Sequence, residues 1–448
     1  MKKSVYLLLV TLLTACAAPR FHYEEATYLT REEALADLDS LVGAMEGIHP
    51  DLYANRSEKH FQHDVKRIRN RFAKCDSVRS FDLYTEAMEL MAAFNEGHLS
   101  IVHNAYNRVS GNRYFPLPVE VDAATRALTL RKACEVEGVA LQVGDEITHI
   151  NGIRSQRYIQ ALCRQIAAEK RFVKYSKLSD GVLNVRMAWL NPTDDYTLRI
   201  RTADGVRTIH TQGLDAMQLT RQMGQQRVQP YAYELLNDST MLFRFNACQM
   251  KGFQAFAEKL FSTARARNIR HLIIDIRNNG GGNSQTGDEI CRYISDRPFG
   301  WISHSTIRIS EPVRQQRPTT LPDTLIHSTP ISAEQLMQPY PDSLRFKGKC
   351  YLLMSHRTYS SAASFAWEFT RFGMGTAIGE EVGDVAISSG DIIYVKLPHS
   401  HFTATIPYKI FYNYGIREGE PNRGAVPDIA VPKEEALERA LRLIRTGE

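Results

Sequence analysis

Apolar residues first recur at helical spacing in TREEALADLDSLVGAMEGIHP, where Leu35, Leu38, Leu41, Val42 and Met45 share one face. Thr30 precedes this run, and Glu33 follows it by three residues. That pairing predicts a capping box, in which each side chain satisfies the other residue's backbone N–H. Pro50 stops the helix. Two more amphipathic stretches follow, at 58–73 and 80–94, the second ending before Gly97. From about 115 to 210 the period shortens to two. VEVDAATRALTLRKA holds two alternating runs, LQVGDEITHINGI reads as turn, strand and turn, and YTLRIRTADGVRTIHT predicts a hairpin around Ala203-Asp204-Gly205. RYIQALCRQIAAE predicts a short helix between them.

From about 228 the elements alternate. TMLFRFNA is strand-like and FQAFAEKLFSTARARN helical. HLIIDI is a continuously apolar strand of the kind buried on both faces. A helix-like stretch follows the glycines after it, then the strand CYLLMS, the helix AASFAWEFTRF and a return to strand in TAIGEEVG. Such alternation predicts an α/β domain, whose sites gather where strands end and helices begin.

At the start, Lys2 and Lys3 precede an apolar run from Val5 to Leu13, and Thr14-Ala15-Cys16 follow. This is the pattern of a secretory signal, and the run is too short to span a bilayer. LTAC resembles a lipobox, the cleavage signal of bacterial lipoproteins. That resemblance implies cleavage before Cys16 and lipidation there, which tethers a soluble domain to a membrane. The expected location is the cell envelope, on the periplasmic or the outer-surface face.

The 448 residues are too many for one ordinary core. A net charge of +5, spread along the chain without a basic block, argues against nucleic acid as a partner. The six remaining cysteines show no CxxC and no clustering with histidine, so a zinc site is not expected.

Two loops carry candidate chemistry. In HLIIDIRNNGGG, residues 271–282, a buried strand runs into two asparagines and three glycines. Such a loop is a flexible turn, or it presents bare backbone N–H groups to an oxyanion. In CYLLMSHRTYSSAASFAWEF, residues 350–369, Ser360 and Ser361 open an apolar helix. A serine there is a helix cap, or a nucleophile in the positive field of the helix N-terminus.

DIRNNGGG followed about 80 residues later by a strand and SAAS resembles the tail-specific, or C-terminal processing, serine peptidases. The resemblance implies Ser361 as nucleophile, with Ser360 as fallback, and an oxyanion hole from the N–H groups of Gly281 and Ala362. Ser364 stands where the family has Glu. No lysine precedes Lys396 where the Ser–Lys branch carries its base, and Asp384 occupies roughly that place. Glu96-Gly97-His98-Leu99 is similar to the histidine element of the branch that includes the tricorn core protease. His98 is therefore the expected general base, with His103 less well placed and His49 structural. The same comparison implies an orienting glutamate in GIREGEPNRGAVPDIAV, either Glu418 or Glu420, with Glu420 preferred. GDEITHING resembles a PDZ hairpin.

The expected organisation is a signal peptide (1–16), an N-terminal helical domain (17–105), a PDZ-like β-rich module (106–215) and an α/β catalytic domain (216–448). The resemblance implies a crotonase/ClpP-like fold for the last. The implied activity is a serine endopeptidase acting on polypeptide substrates, with no metal or organic cofactor. A non-catalytic peptide or lipophilic-ligand binding protein on the same scaffold is the alternative, and sequence does not separate peptidase from esterase or amidase.

Overall fold

The computed structural model describes residues 19–23, 27–179, 181–223, 229–417 and 419–447. Cys16 and the expected signal segment lie outside them. The chain divides into two compact units. The first comprises Met1–Gly47, Asp51–Gln226 and Tyr394–Ile406; the second comprises Ile48–Pro50, Arg227–Ile393 and Pro407–Glu448.

In the first unit the helix Arg31–Ile48 opens on the expected capping box. The Thr30 N–H donates to Glu33 Oε2 at 2.8 Å, and the Glu33 N–H donates to Thr30 Oγ1 at 3.1 Å. Helices Glu58–Phe72 and Ser80–Ala92 follow where the amphipathic runs place them. The β-rich stretch forms an antiparallel sheet in the order Gly205–Gln212, Asp195–Thr202, Glu146–Ile150, Leu128–Leu130, Val119–Val121. A tight turn at Asn151 (φ 48°) and Gly152 (φ 78°) pairs Ile150 with Ile153, as two positive φ values in a two-residue loop require. Leu130, Ile147, Leu198 and Ile200 point to one side and pack on Ile159, Leu162 and Met187.

The helical segment and the β-rich module, expected to part at residue 105, share this one unit. Trp189, fully buried, contacts Phe81 edge-on with ring centroids 5.5 Å apart, and its Nε1 donates to the Tyr106 carbonyl at 2.9 Å. That aromatic core spans the expected boundary. Residues 394–406 join the same unit, where Thr403–Thr405 pair with Ser100–Val102.

The second unit holds a six-stranded sheet: β1 (Tyr231–Asn237), β2 (Thr240–Phe245), β3 (His271–Asp275), β4 (Lys349–Met354), β5 (Thr376–Gly379) and β6 (Ile429–Ala430). Spatial order follows chain order. β1 and β2 are antiparallel and every later pair is parallel. Both faces are covered, which is why the centres of β3 and β4 read as apolar runs. On one face Met241, Phe243, Leu272, Ile274 and Leu352 pack on α1 (Phe253–Ala266), α2 (Gln285–Ile294) and α3 (Ser361–Arg371). On the other, Leu242, Ile273, Leu353 and Ile378 pack on Ala436, Ala440 and Leu443 of α4 (Ala436–Thr446). The alternation along each strand follows from the two-residue period of side-chain direction. A second, mostly antiparallel group containing Ile302–Ile309 and Thr324–His327 was not anticipated from sequence, because most of its positions are only half-buried and no apolar run announces it. No helix among the described residues is long and apolar enough to cross a membrane.

Candidate active site

Parallel neighbours β3 and β4 end at the same edge of the sheet, so the glycine loop and the serine turn emerge side by side. Side-chain and backbone hydrogen bonds stitch them together. Thr358 Oγ1 donates to the Ile276 carbonyl at 2.9 Å, Ser355 Oγ to the Arg277 carbonyl at 2.5 Å, and the Tyr359 N–H to the Asn279 carbonyl at 3.0 Å. Asn279 is fully buried. Its Nδ2 donates to the Phe245 carbonyl at 3.0 Å, which ties the loop to β2. Cys248 pins the far side: its N–H donates to the Gly281 carbonyl at 3.0 Å, and its carbonyl accepts the Asn283 N–H at 2.8 Å. Burial pushes the Cys248 thiol up to about 11, so it is a neutral packing group at neutral pH. Asp275 and Arg277, the acidic and basic residues of the motif, pair with each other at 2.7 Å, and Arg277 also donates to the Lys433 carbonyl.

Gly281 (φ 103°) and Gly282 (φ 139°) occupy backbone conformations that side chains disfavour. A Cβ on Gly281 would lie 2.8 Å from both Ser360 Cβ and the Tyr359 carbonyl oxygen; one on Gly282 would lie 2.4 Å from the Cys248 carbonyl oxygen. The close approach of two backbones is thus the physical reason for glycine here.

Ser360 is held at φ 50° and ψ −131°, a region that non-glycine residues rarely enter and that costs about 1–3 kcal/mol. Its N–H donates to Asp384 Oδ2 at 3.1 Å, while Asp384 Oδ1 accepts the Val385 N–H at 2.8 Å. Asp384 is 5% exposed. Ser361, the first residue of α3, donates its hydroxyl to the Gly282 carbonyl at 2.8 Å.

The two N–H groups expected to form the oxyanion hole are both engaged: Gly281 donates to Asn279 Oδ1 at 2.9 Å, and Ala362 to the Tyr359 carbonyl at 3.2 Å. Among the described residues the N–H groups of Gly282 and Ser361 have no hydrogen-bond partner, and these are the pair left available to an oxyanion.

Behind the turn, α3 buries the Glu368 carboxyl and α2 half-buries that of Asp288. Burial drives Glu368 well above the carboxylate range, and the nearby Asp288 charge and the Cys291 thiol, 3.4 Å from Glu368 Oε2, share its surroundings. Burial also raises Asp288 to about 7. Ser364, in the place of the family glutamate, sets its hydroxyl 3.5 Å from the Ser360 carbonyl.

The remaining expected residues fall as follows. His98 lies in the first unit, in the turn after Ser80–Ala92; its carbonyl accepts Thr405 Oγ1 at 2.9 Å, and the preceding Gly97 N–H donates to Glu169 Oε1 at 2.8 Å. His103 packs among Tyr84, Tyr106 and Phe402, an aromatic setting. His49 is buried, with its carbonyl accepting Arg308 Nε at 2.8 Å. Glu420 is exposed beside Arg417 at 3.8 Å. Glu418 lies outside the described residues. The structure adds Asp384, Thr358 and Asn279, whose roles are to hold the two loops. Only Asp384 leaves a sequence trace, by standing near the place where the Ser–Lys branch carries its lysine.

Residues 242–431 match the family model of peptidase family S41. Among solved structures, the crystal structure of mature CPAF is similar over 92% of this chain and 95% of its own, at 15% identity and a TM-score of 0.64. Mature CPAF complexed with lactacystin is similar over 93% and 97%, at 13% identity and a TM-score of 0.62. The photosystem II D1 C-terminal processing protease covers 92% of this chain and 97% of its own, at 13% identity and a TM-score of 0.45. The two CPAF likenesses concern the mixed α/β fold. The matched stretch bears both the glycine loop and the serine turn, and the chain is a serine peptidase.

Proposed function

We propose that this chain is a cell-envelope endopeptidase, tethered through lipid on Cys16, that cleaves polypeptides by way of an acyl-enzyme at the Ser360–Ser361 turn. The observation that carries the reading is the strained serine turn set against a glycine loop, with one unengaged N–H on each side, that of Ser361 and that of Gly282. The family pattern selects Ser361 as nucleophile. The backbone favours Ser360 instead, because strain at a strand-to-helix turn is the device that thrusts a hydroxyl out of such a sheet. With Ser360 attacking, the N–H of the next residue, Ser361, faces the developing charge together with Gly282.

In this mechanism the serine hydroxyl gives its proton to the His98 imidazole as its oxygen bonds to the carbonyl carbon. The imidazolium then protonates the departing amine as the C–N bond breaks. Water repeats the sequence on the acyl-enzyme and frees the acid. Glu418 or Glu420 accepts the second imidazole N–H and fixes the tautomer. His98 and the glutamates are carried by their resemblance to the tricorn-like branch. The Asn151-Gly152 hairpin and the helix after it support a PDZ-like reading of residues 106–215, and the two-sided sheet supports a crotonase/ClpP-like reading of the second unit.

Labelling with a fluorophosphonate probe tests this. Wild-type protein should label, and Ser360→Ala should lower the rate by about 10³-fold or more. Ser361→Ala should retain labelling within about tenfold, and His98→Ala should fall nearly as far as Ser360→Ala. Loss confined to Ser361→Ala would return the nucleophile to Ser361. Absence of labelling in folded wild-type protein would leave a binding protein on a peptidase scaffold.

A further inference from the structure

The first unit contains a cleft of about 1110 Å³ between the helices Glu58–Phe72 and Ser80–Ala92 and the helices Ser155–Cys163 and Arg171–Leu178. Seven arginine and lysine side chains and three carboxylates line it. Each carboxylate already has a partner. Asp64 pairs with Arg56, Glu89 lies 3.6 Å from Arg164, and Glu169 Oε1 accepts the Gly97 N–H. Arg67 is drawn off to Glu86 at 2.9 Å.

Lys170 has a partner of its own, which leaves Arg126, Arg171 and Lys174, none of which forms an ion pair among the described residues. The Lys174 ammonium is half-buried, and its hydrogen bond is to the neutral Asn95 Oδ1 at 2.9 Å. Burial holds it below the ordinary lysine value, and Lys177 and Arg171 repel it further; Glu169 acts the other way. The Cys163 thiol beside it is pushed up to about 11 by burial and so supplies no counter-charge at neutral pH. A part-desolvated ammonium beside the Arg171 guanidinium, with Arg126 on the lining of the same cleft, is a site short of an anion.

We propose that this cleft is a docking site for acidic side chains of polypeptide substrates, engaged through Arg126, Arg171 and Lys174. The choice of occupant rests on the peptidase reading and on charge complementarity. The three interspersed carboxylates would repel a continuous phosphate backbone, whereas a peptide places its charges at intervals and offers amides to Gln156 and Gln160 on the same wall.

The test is fluorescence anisotropy of the whole chain with a labelled ten-residue peptide containing four glutamates, beside the same peptide with glutamine in their place. The acidic peptide should bind at least tenfold more tightly at low salt, and the difference should collapse at 0.5 M NaCl, as screening of exposed charges requires (about 4 Å Debye length there). Arg126 and Arg171 are exposed, so R126E/R171E should fold normally and abolish the preference; Lys174→Gln should lower it severalfold. An equal preference in R126E/R171E, or none in the wild type, would overturn the proposal, as would binding of anionic phospholipid vesicles without binding of the peptide. Hydrolysis of an uncharged reporter peptide is followed in parallel. Its absence with acidic binding intact would sink the catalytic reading alone, and its presence with no acidic preference would sink the cleft alone.

Discussion

The serine turn and the loop that carries Glu420 belong to the same unit, yet they are built in opposite ways. Around Ser360 the backbone is fixed from three sides: Thr358 and Ser355 onto the β3 loop, Asn279 under Tyr359, and Asp384 on the Ser360 N–H. Around Glu420 the side chain is exposed, and its contacts are with its own near neighbour Arg417. Strain persists only where surrounding structure over-determines it, so the stitched region is the one that can store it. The difference teaches that the proposed nucleophile half of the site is braced by its neighbours, whereas the proposed acceptor half has no comparable scaffold of its own.

Breaking the stitched side should have the largest effect. Gly281→Ala places a Cβ 2.8 Å from Ser360 Cβ and demands φ 103° of an alanine. Neither the Tyr359 backbone nor Ser360 can withdraw without releasing the turn. Fluorophosphonate labelling should drop by about 10²-fold or more, the range associated with a displaced oxyanion donor. Thermal unfolding should show a loss of about 1–3 kcal/mol, the scale of strain at a special backbone conformation. Full labelling in Gly281→Ala would show that the two loops separate without penalty, and the contrast with the acceptor loop would vanish.

Much of this side was legible in the sequence, for physical reasons that differ by element. HLIIDI and CYLLMS announce strands covered on both faces because apolar residues fill adjacent central positions, Leu272 to Ile274 and Leu352 to Met354, and observed β3 and β4 are buried on both faces. Thr30 and Glu33 carry their own instruction in side-chain chemistry, and the reciprocal cap forms. The Asn-Gly turn at 151–152 is equally local. What sequence did not disclose depends on neighbours distant along the chain. The packing of Trp189 on Phe81, which erases the expected boundary at 105, joins residues 108 positions apart. The engagement of Gly281 by Asn279 is local, but its geometry follows from Asn279 being anchored to Phe245 across the sheet. The choice between two adjacent serines turns on a dihedral angle, for which residue type gives no sign.

Asp384 offers a finer cut. Its carboxylate accepts the Ser360 N–H without standing next in line for a proton transfer, so it acts as a positioning residue. Asp384→Asn keeps one acceptor oxygen and should lower kcat by about threefold to tenfold with KM unchanged. Asp384→Ala leaves the buried N–H unsatisfied, a cost of about 1–3 kcal/mol, and should lower kcat by about 30-fold or more. Rescue by asparagine separates orientation from charge. Equal losses in both variants would make the charge itself the essential feature, and an unchanged kcat in Asp384→Ala would mean that the strained turn stands without its acceptor.

The smallest effect is expected on the open side. An exposed glutamate beside an exposed arginine contributes little to a fold, with typical values of about 0–1 kcal/mol for such a pair. Glu420→Gln should therefore leave the unfolding temperature unmoved. Its activity then reports on chemistry alone. If Glu420 orients His98, kcat should fall by about 10²-fold or more, because a histidine without its acceptor samples the wrong tautomer. If Glu418 does so, Glu420→Gln should stay within about threefold of wild type while Glu418→Gln takes the loss. Activity that survives both substitutions would remove the glutamate from the mechanism. The histidine would then have to be oriented by a group from the well-braced part of the chain, and the contrast between a preorganised half and an unscaffolded half would no longer describe this site.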